Sequence, residues 1–181
     1  ARGLNGGDYF VINSQFTRGD FDFIFLSHIH PDHYCKESIL KLFDLFGPKP
    51  ILISERANPN YLQKKLLADG FGPHLQVLSH LVVGDTRLDF IPVDTGSTSD
   101  VDSSLLISSL STRYAFLNTN DCEITPKYAS AINQIIDKNN LDLRLFALGY
   151  TGAGPYPQTY YPYSDSDSDL DSLLLASHRN K

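Results

Sequence analysis

Methionine and tryptophan are absent from these 181 residues, and cysteine occurs only twice. Cys35 and Cys122 are far apart, which excludes a disulfide scaffold and points to a reduced, cytoplasmic protein. Without methionine even at position 1, a processed or truncated start is the expectation, so a lost targeting segment stays open. No apolar run approaches the ~20 residues of a membrane span, so no transmembrane segment is expected. Basic charge is scarce too: 15 Lys and Arg stand against 21 Asp and Glu, a net charge of −6. With no long basic run, nucleic acid is not expected as the main partner. What remains is a chain of one ordinary domain, long enough to bury a full core without staples.

The apolar pattern alternates strand and helix. Residues 21–27 read as a short aromatic strand. Ile39, Leu40, Phe43 and Phe46 recur at helical spacing over 36–46, with Gly47 and Pro48 as a stop. Residues 50–54 read as a strand. Residues 58–69 read as a helix, with Asn58 as N-cap, Pro59 in the first turn and Gly70 at the end. Strands follow at 75–78, 81–83 and 87–93, with Gly84-Asp85 as a hairpin turn. A strand pair at 104–108 and 114–117 precedes a helix at 126–138 capped by Thr125, then a last strand at 143–148. The order predicts an α/β fold of sheet and helix layers. Residues 164–181, "SDSDSDLDSLLLASHRNK", read as a flexible low-complexity tail. That leaves 1–163 as the domain.

Six histidines occur in the chain, and half of them lie in "SHIHPDHY". His28 and His30 are two apart, so in extended backbone they point the same way and can grip one ion. Pro31 stiffens the turn, and Asp32 and His33 are then free for a second ion or for support. Neutral imidazole with carboxylate suits zinc, iron or manganese. The alternative is an exposed polar loop that is merely rich in histidine. His74 and His80 have no carboxylate neighbours in sequence and read as structural or exposed, and His178 falls in the tail. Cys35 and Cys122 each read either as a thiolate near an ion or as a small core residue. Tyr150, Tyr156, Tyr160 and Tyr161 form an aromatic Gly/Pro-rich loop that either walls a pocket or covers the surface.

The stretch "FIFLSHIHPDHY" resembles the His-x-His-x-Asp-His signature of the metallo-β-lactamase superfamily in its strand–loop–helix setting. "YAFLNTNDCEIT" is similar to the later family strand that delivers a bridging carboxylate, which implies that role for Asp121. The element order from about residue 20 to 160 resembles the four-layer αββα sandwich, with its opening strands shortened or missing. "SSLLIS", "NTNDC" and "GYTGAGPYPQTYY" are nearest in flavour to the branch of the CMP-N-acetylneuraminate hydroxylase catalytic domain and the N-acyl phosphatidylethanolamine phospholipase D-like hydrolases. The resemblance implies one or two zinc ions, held by His28, His30, Asp32, His33 and Asp121. Asp32 and Asp121 would orient water and accept its proton.

The pattern departs from the family in two places. The loop that usually brings a third histidine, "PVDTGSTSDVDSS", has none and offers Asp94, Asp100 and Asp102. Asp100 or Asp102 is the expected substitute ligand. The last strand ends in Leu148-Gly149-Tyr150, again without histidine, so a single-ion site competes with a two-ion one. Aspartate in place of histidine adds negative charge, weakens the ion's pull on water and favours iron. The expected function is a metal-dependent hydrolase acting through metal-bound hydroxide on an ester, amide or phosphodiester of a small-molecule substrate. An iron-dependent hydroxylase-like domain with a redox partner and a degenerate ligand-binding member are the alternatives.

Overall fold

The computed structural model describes residues 21–56, 60–93 and 101–148. Among them the order is β1 (Ile24–Phe25), α1 (Lys36–Phe46), β2 (Ile51–Ser54), α2 (Tyr61–Ala68), β3 (Leu75–Leu78), β4 (His80–Val83), β5 (Thr86–Pro92), β6 (Ser103–Ser109), β7 (Tyr114–Asn118), α3 (Pro126–Lys138) and β8 (Asp142–Ala147). Strands β1, β2 and β3 form one parallel sheet, with Ile24 against Ile51 and Ile51 against Leu75. Strands β4 to β8 form a second sheet in chain order. Its neighbours are antiparallel as far as β7, which pairs parallel with β8 across the α3 crossover. The protein is therefore mixed α/β with two sheets, as the alternating pattern predicted.

Period-two alternation decides which side chain enters which core. Ile51 and Ile53 join Leu26, Ile39, Leu62, Leu66 and Phe71 in a core against α1 and α2. Between them, Leu52 joins Leu88, Phe90 and Leu105 of the second sheet. Ile91, Leu106, Ala115 and Leu117 form a third core with Tyr128 and Ile132 of α3. Ile51, Leu52 and Ile53 are at most 1% exposed, which is why β2 reads as an unbroken apolar run.

Helix ends follow local chemistry. The N–H of Gly47, at φ 81°, closes α1 on the Phe43 carbonyl, a left-handed position suited to glycine. The Thr125 side chain accepts from the Tyr128 N–H, and Pro126 opens α3. Helix α2 starts later than expected. Its cap is Asn60, whose Oδ1 accepts from the Gln63 N–H and whose Nδ2 donates to the Ser54 carbonyl at 3.0 Å. That second bond ties the cap to β2; the expected cap and first-turn proline, Asn58 and Pro59, lie outside the described residues.

Other expectations need correction. β1 spans two residues rather than seven: among the described residues it is an edge strand, and its ladder with β2 covers only Ile24 and Phe25. Its pairing still runs on to the Leu26 N–H, which donates to Leu52. Leu40 is 48% exposed: the buried stripe of α1 runs through Ile39, Phe43 and Phe46, and Leu40 lies one helical step off it. Cys35 is exposed, its thiol 3.3 Å from Glu37, so it is not a core residue. Cys122 is buried in the α3 core. His80 is exposed, and His74 packs edge-on against Phe43. Asp94, Asp100, the tyrosine loop from Tyr150 and the tail all lie outside the described residues. No helix among the described residues is long and apolar enough to cross a membrane.

Candidate metal centre

Three chain segments meet at one end of the two sheets. His28 lies three residues beyond β1, Asp121 three residues beyond β7, and Asp102 immediately before β6. β1 and β7 each pair parallel with a neighbour and end here, which is where open α/β sheets collect functional groups.

Polar side chains that the sequence reading passed over hold these segments together. The buried Ser103 hydroxyl donates to the Ser27 carbonyl at 2.6 Å, joining the start of β6 to the end of β1. The Asn120 Nδ2 donates to the Ser103 carbonyl at 2.9 Å, joining the turn after β7 to the same point. Asn120 has φ 50°, a left-handed conformation that asparagine tolerates better than most residues, and it turns the chain so that Asp121 faces inward. Arg56 donates from its guanidinium to the carbonyls of Val93, Val101 and Asp102. It thereby grips both ends of the loop that supplies Asp102, and the Val93 N–H bond to the Asp102 carbonyl closes that loop. A lone arginine, an Asn in a turn and paired serines carry no distinctive spacing, so only the fold reveals them.

His28 is the hub and has no exposed surface. Its Nδ1 stands 3.0 Å from Ser27 Oγ and 3.0 Å from Asp102 Oδ1. On the other side its Nε2 stands 3.7 Å from Asp121 Oδ2. His33 places Nε2 3.2 Å from the same Asp121 oxygen and Nδ1 3.2 Å from Ser27 Oγ. Two donor triads result, His28–His33–Asp121 and His28–His30–Asp102, each with its ligand atoms within 4.8 Å of one another. Thus five of the expected residues, His28, His30, His33, Asp102 and Asp121, are brought together. Asp32 joins neither triad. Its carboxylate is 74% exposed and lies 3.6 Å from His33 Nε2 at the outer rim. Of the loop aspartates expected to replace a histidine, Asp102 is brought to the site; Asp94 and Asp100 lie outside the described residues.

The donor set fits a divalent ion. His28 Nε2 is buried without a hydrogen-bond partner, and such an atom is costly unless something binds it. Ligand atoms on a tetrahedral ion with bonds of about 2.0–2.2 Å stand about 3.3–3.6 Å apart. The 3.2 and 3.7 Å contacts at Asp121 sit around that spacing. Burial above all holds the His28 pKa below its ordinary value; His33 and His30 push the same way, against Asp102 and Asp121. The imidazole is therefore neutral at pH 7, the form that binds metal.

No family model matches this chain, and no curated protein is similar to it.

Proposed function

We propose that this chain is a metallo-β-lactamase-like hydrolase domain with its metal centre at the His28 hub. The observation that carries this reading is the convergence of two histidine–aspartate triads on one imidazole whose Nε2 is buried and unpartnered. The three cores support the four-layer reading: helices α1 and α2, the parallel sheet, the mixed sheet and α3 would stack in that order. An ion bound here supplies Lewis acidity, acidifying water and polarising a carbonyl or phosphoryl oxygen.

The chain's own groups divide the remaining work. Asp121 offers one oxygen to both histidines and is 28% exposed, so it has a solvent-facing edge from which to accept a proton from attacking water. Asp32, farther out, orients that water and passes the proton to solvent. His28 is too buried to contact substrate and acts as a ligand only. The substrate is a small ester, amide or phosphodiester, and the setting is cytoplasmic. To test this, the full chain is stripped with chelator, reloaded with zinc, manganese or ferrous iron, and assayed on p-nitrophenyl acetate and bis-p-nitrophenyl phosphate. Turnover that returns with the ion and is lost in Asp121→Asn is expected. A chain that binds no ion and turns over neither ester refutes the proposal.

One observation favours a second reading. Each triad is two histidines and one carboxylate, the donor set of non-haem iron oxygenases. On this reading the domain is hydroxylase-like, and with only two cysteines in these residues it draws electrons from a redox group outside them. Iron in the purified protein, with no hydrolysis in any metal form, selects it.

A further inference from the structure

Both triads draw on His28, and that sharing limits what the centre can hold. A neutral imidazole has one ring nitrogen with a lone pair, while the other carries a proton. Two ions on the two sides of His28 would require the ring to lose that last proton.

The surroundings of the ring decide which side takes the ion. Two oxygens, Ser27 Oγ and Asp102 Oδ1, each lie 3.0 Å from Nδ1. A carboxylate oxygen that close to a nitrogen lone pair is repelled, and beside an N–H it is attracted. With the proton on Nδ1, Asp102 is a counter-charge and Ser27 an acceptor. The buried Nε2 is then the lone pair, on the side of His33 Nε2 and Asp121 Oδ2. The opposite placement puts an ion between Nδ1 and Asp102 but strands a buried Nε2–H, whose nearest carboxylate oxygen is 3.7 Å away, beyond hydrogen-bond reach. Only the first arrangement gives both ring nitrogens a partner. Metal-bound histidines generally donate their second N–H to a carboxylate or carbonyl. We propose that the centre binds a single ion on His28 Nε2, His33 and Asp121, and that Asp102 is the positioning carboxylate that holds the His28 proton on Nδ1. This assignment rests on the metal-centre reading above, and it pairs His28 with His33 rather than with its sequence neighbour His30.

Zinc and cobalt titrations of the chelator-treated full chain, read by calorimetry and native mass spectrometry, test it. One ion per chain is expected. His33→Ala and Asp121→Asn should each weaken zinc binding at least about a hundredfold, whereas His30→Ala should stay within about threefold. Asp102→Asn should lose about 10–100-fold, the usual effect of removing a supporting partner. Nitrogen-15 spectra of the zinc-loaded chain should show His28 protonated at Nδ1, and Asp102→Asn should shift that Nδ1 signal, a readout that a merely structural role for Asp102 would not produce. Two ions per chain, or His30→Ala abolishing binding while His33→Ala retains it, overturns the assignment but leaves a metal enzyme standing. Failure of the wild-type chain to bind zinc or cobalt at all overturns both. His33 and Asp121 are each more than a quarter exposed, so their variants remove little from the core.

Discussion

Tyr128→Phe removes one oxygen from the structure and no apolar volume. The hydroxyl sits 2.7 Å from the Ile91 carbonyl and 2.7 Å from Ser104 Oγ, and 3.6 Å from the Cys122 sulfur. It joins the first turn of α3 to β5 and β6, beside the turn that carries Asp121. Burial, with the neighbouring Cys122, pushes its pKa above the ordinary tyrosine value, so it remains a protonated donor at any working pH. Its loss removes one bond from the Ile91 carbonyl, which still faces Ser104 in the β5–β6 ladder, and one from Ser104 Oγ, which keeps a long bond of 3.4 Å to the Thr119 carbonyl. Loss of such a bond costs about 1–2 kcal/mol. In a chain of this size each kcal/mol shifts Tm by about 2–4 °C, giving a fall of about 2–8 °C. Urea unfolding should show a lower midpoint at unchanged slope. A double-mutant cycle with Ser104→Ala should return a coupling above about 0.5 kcal/mol. An unchanged midpoint, or strictly additive single variants, would refute the view that this hydroxyl ties α3 to the sheet.

Three further outcomes are expected. Leu66→Ala, at a fully buried position of α2, should cost about 2–5 kcal/mol in urea unfolding, the usual range for an unrelieved core truncation. Asn60→Ala removes both the α2 cap and the Ser54 tie and should cost about 1–2 kcal/mol on the same assay. Asp69 has its pKa held below the usual carboxylate value by Lys65 first and the Tyr34 hydroxyl second. The stability this gives is present above the ordinary carboxylate pKa and disappears as pH falls through the depressed one. Tyr34→Phe should therefore raise the Asp69 pKa in a carboxyl NMR titration and move the acid limb of unfolding to higher pH.

The fold was legible wherever one local rule acted alone. Residues 36–46 and 126–138 became helices at the expected bounds, because stop and cap chemistry coincided with the apolar period. The hairpin at Gly84-Asp85 formed because Gly84 supplies the positive φ of 57° that its turn needs. Local rules failed where tertiary contacts competed. Asn60 caps α2 because Ser54 offers its side chain a second partner, and no property of residues 58–60 in isolation reports that.

The candidate site divides along the same line. Histidines two and five residues apart mark a candidate ligand cluster, because few other uses of the chain need them so close. Their pairing is a different matter. Spacing in an extended strand joins His28 to His30, but the backbone turns at once: the His33 and Tyr34 N–H groups both bond to the His30 carbonyl. That turn folds His33 back over His28, with ring centroids 4.1 Å apart. Extended-strand geometry therefore accounts for His30, whose ring centroid lies 4.5 Å from that of His28, and the turn supplies His33 as a second neighbour. Asp102 shows the converse. Its residue type was expected from the missing histidine, but its place depends on Arg56, beyond β2, and on the bond from the neighbouring Ser103 to Ser27 at the end of β1. A carboxylate held by its own backbone carbonyl on a distant arginine is positioned by the fold, and that is the property an orienting partner of His28 requires.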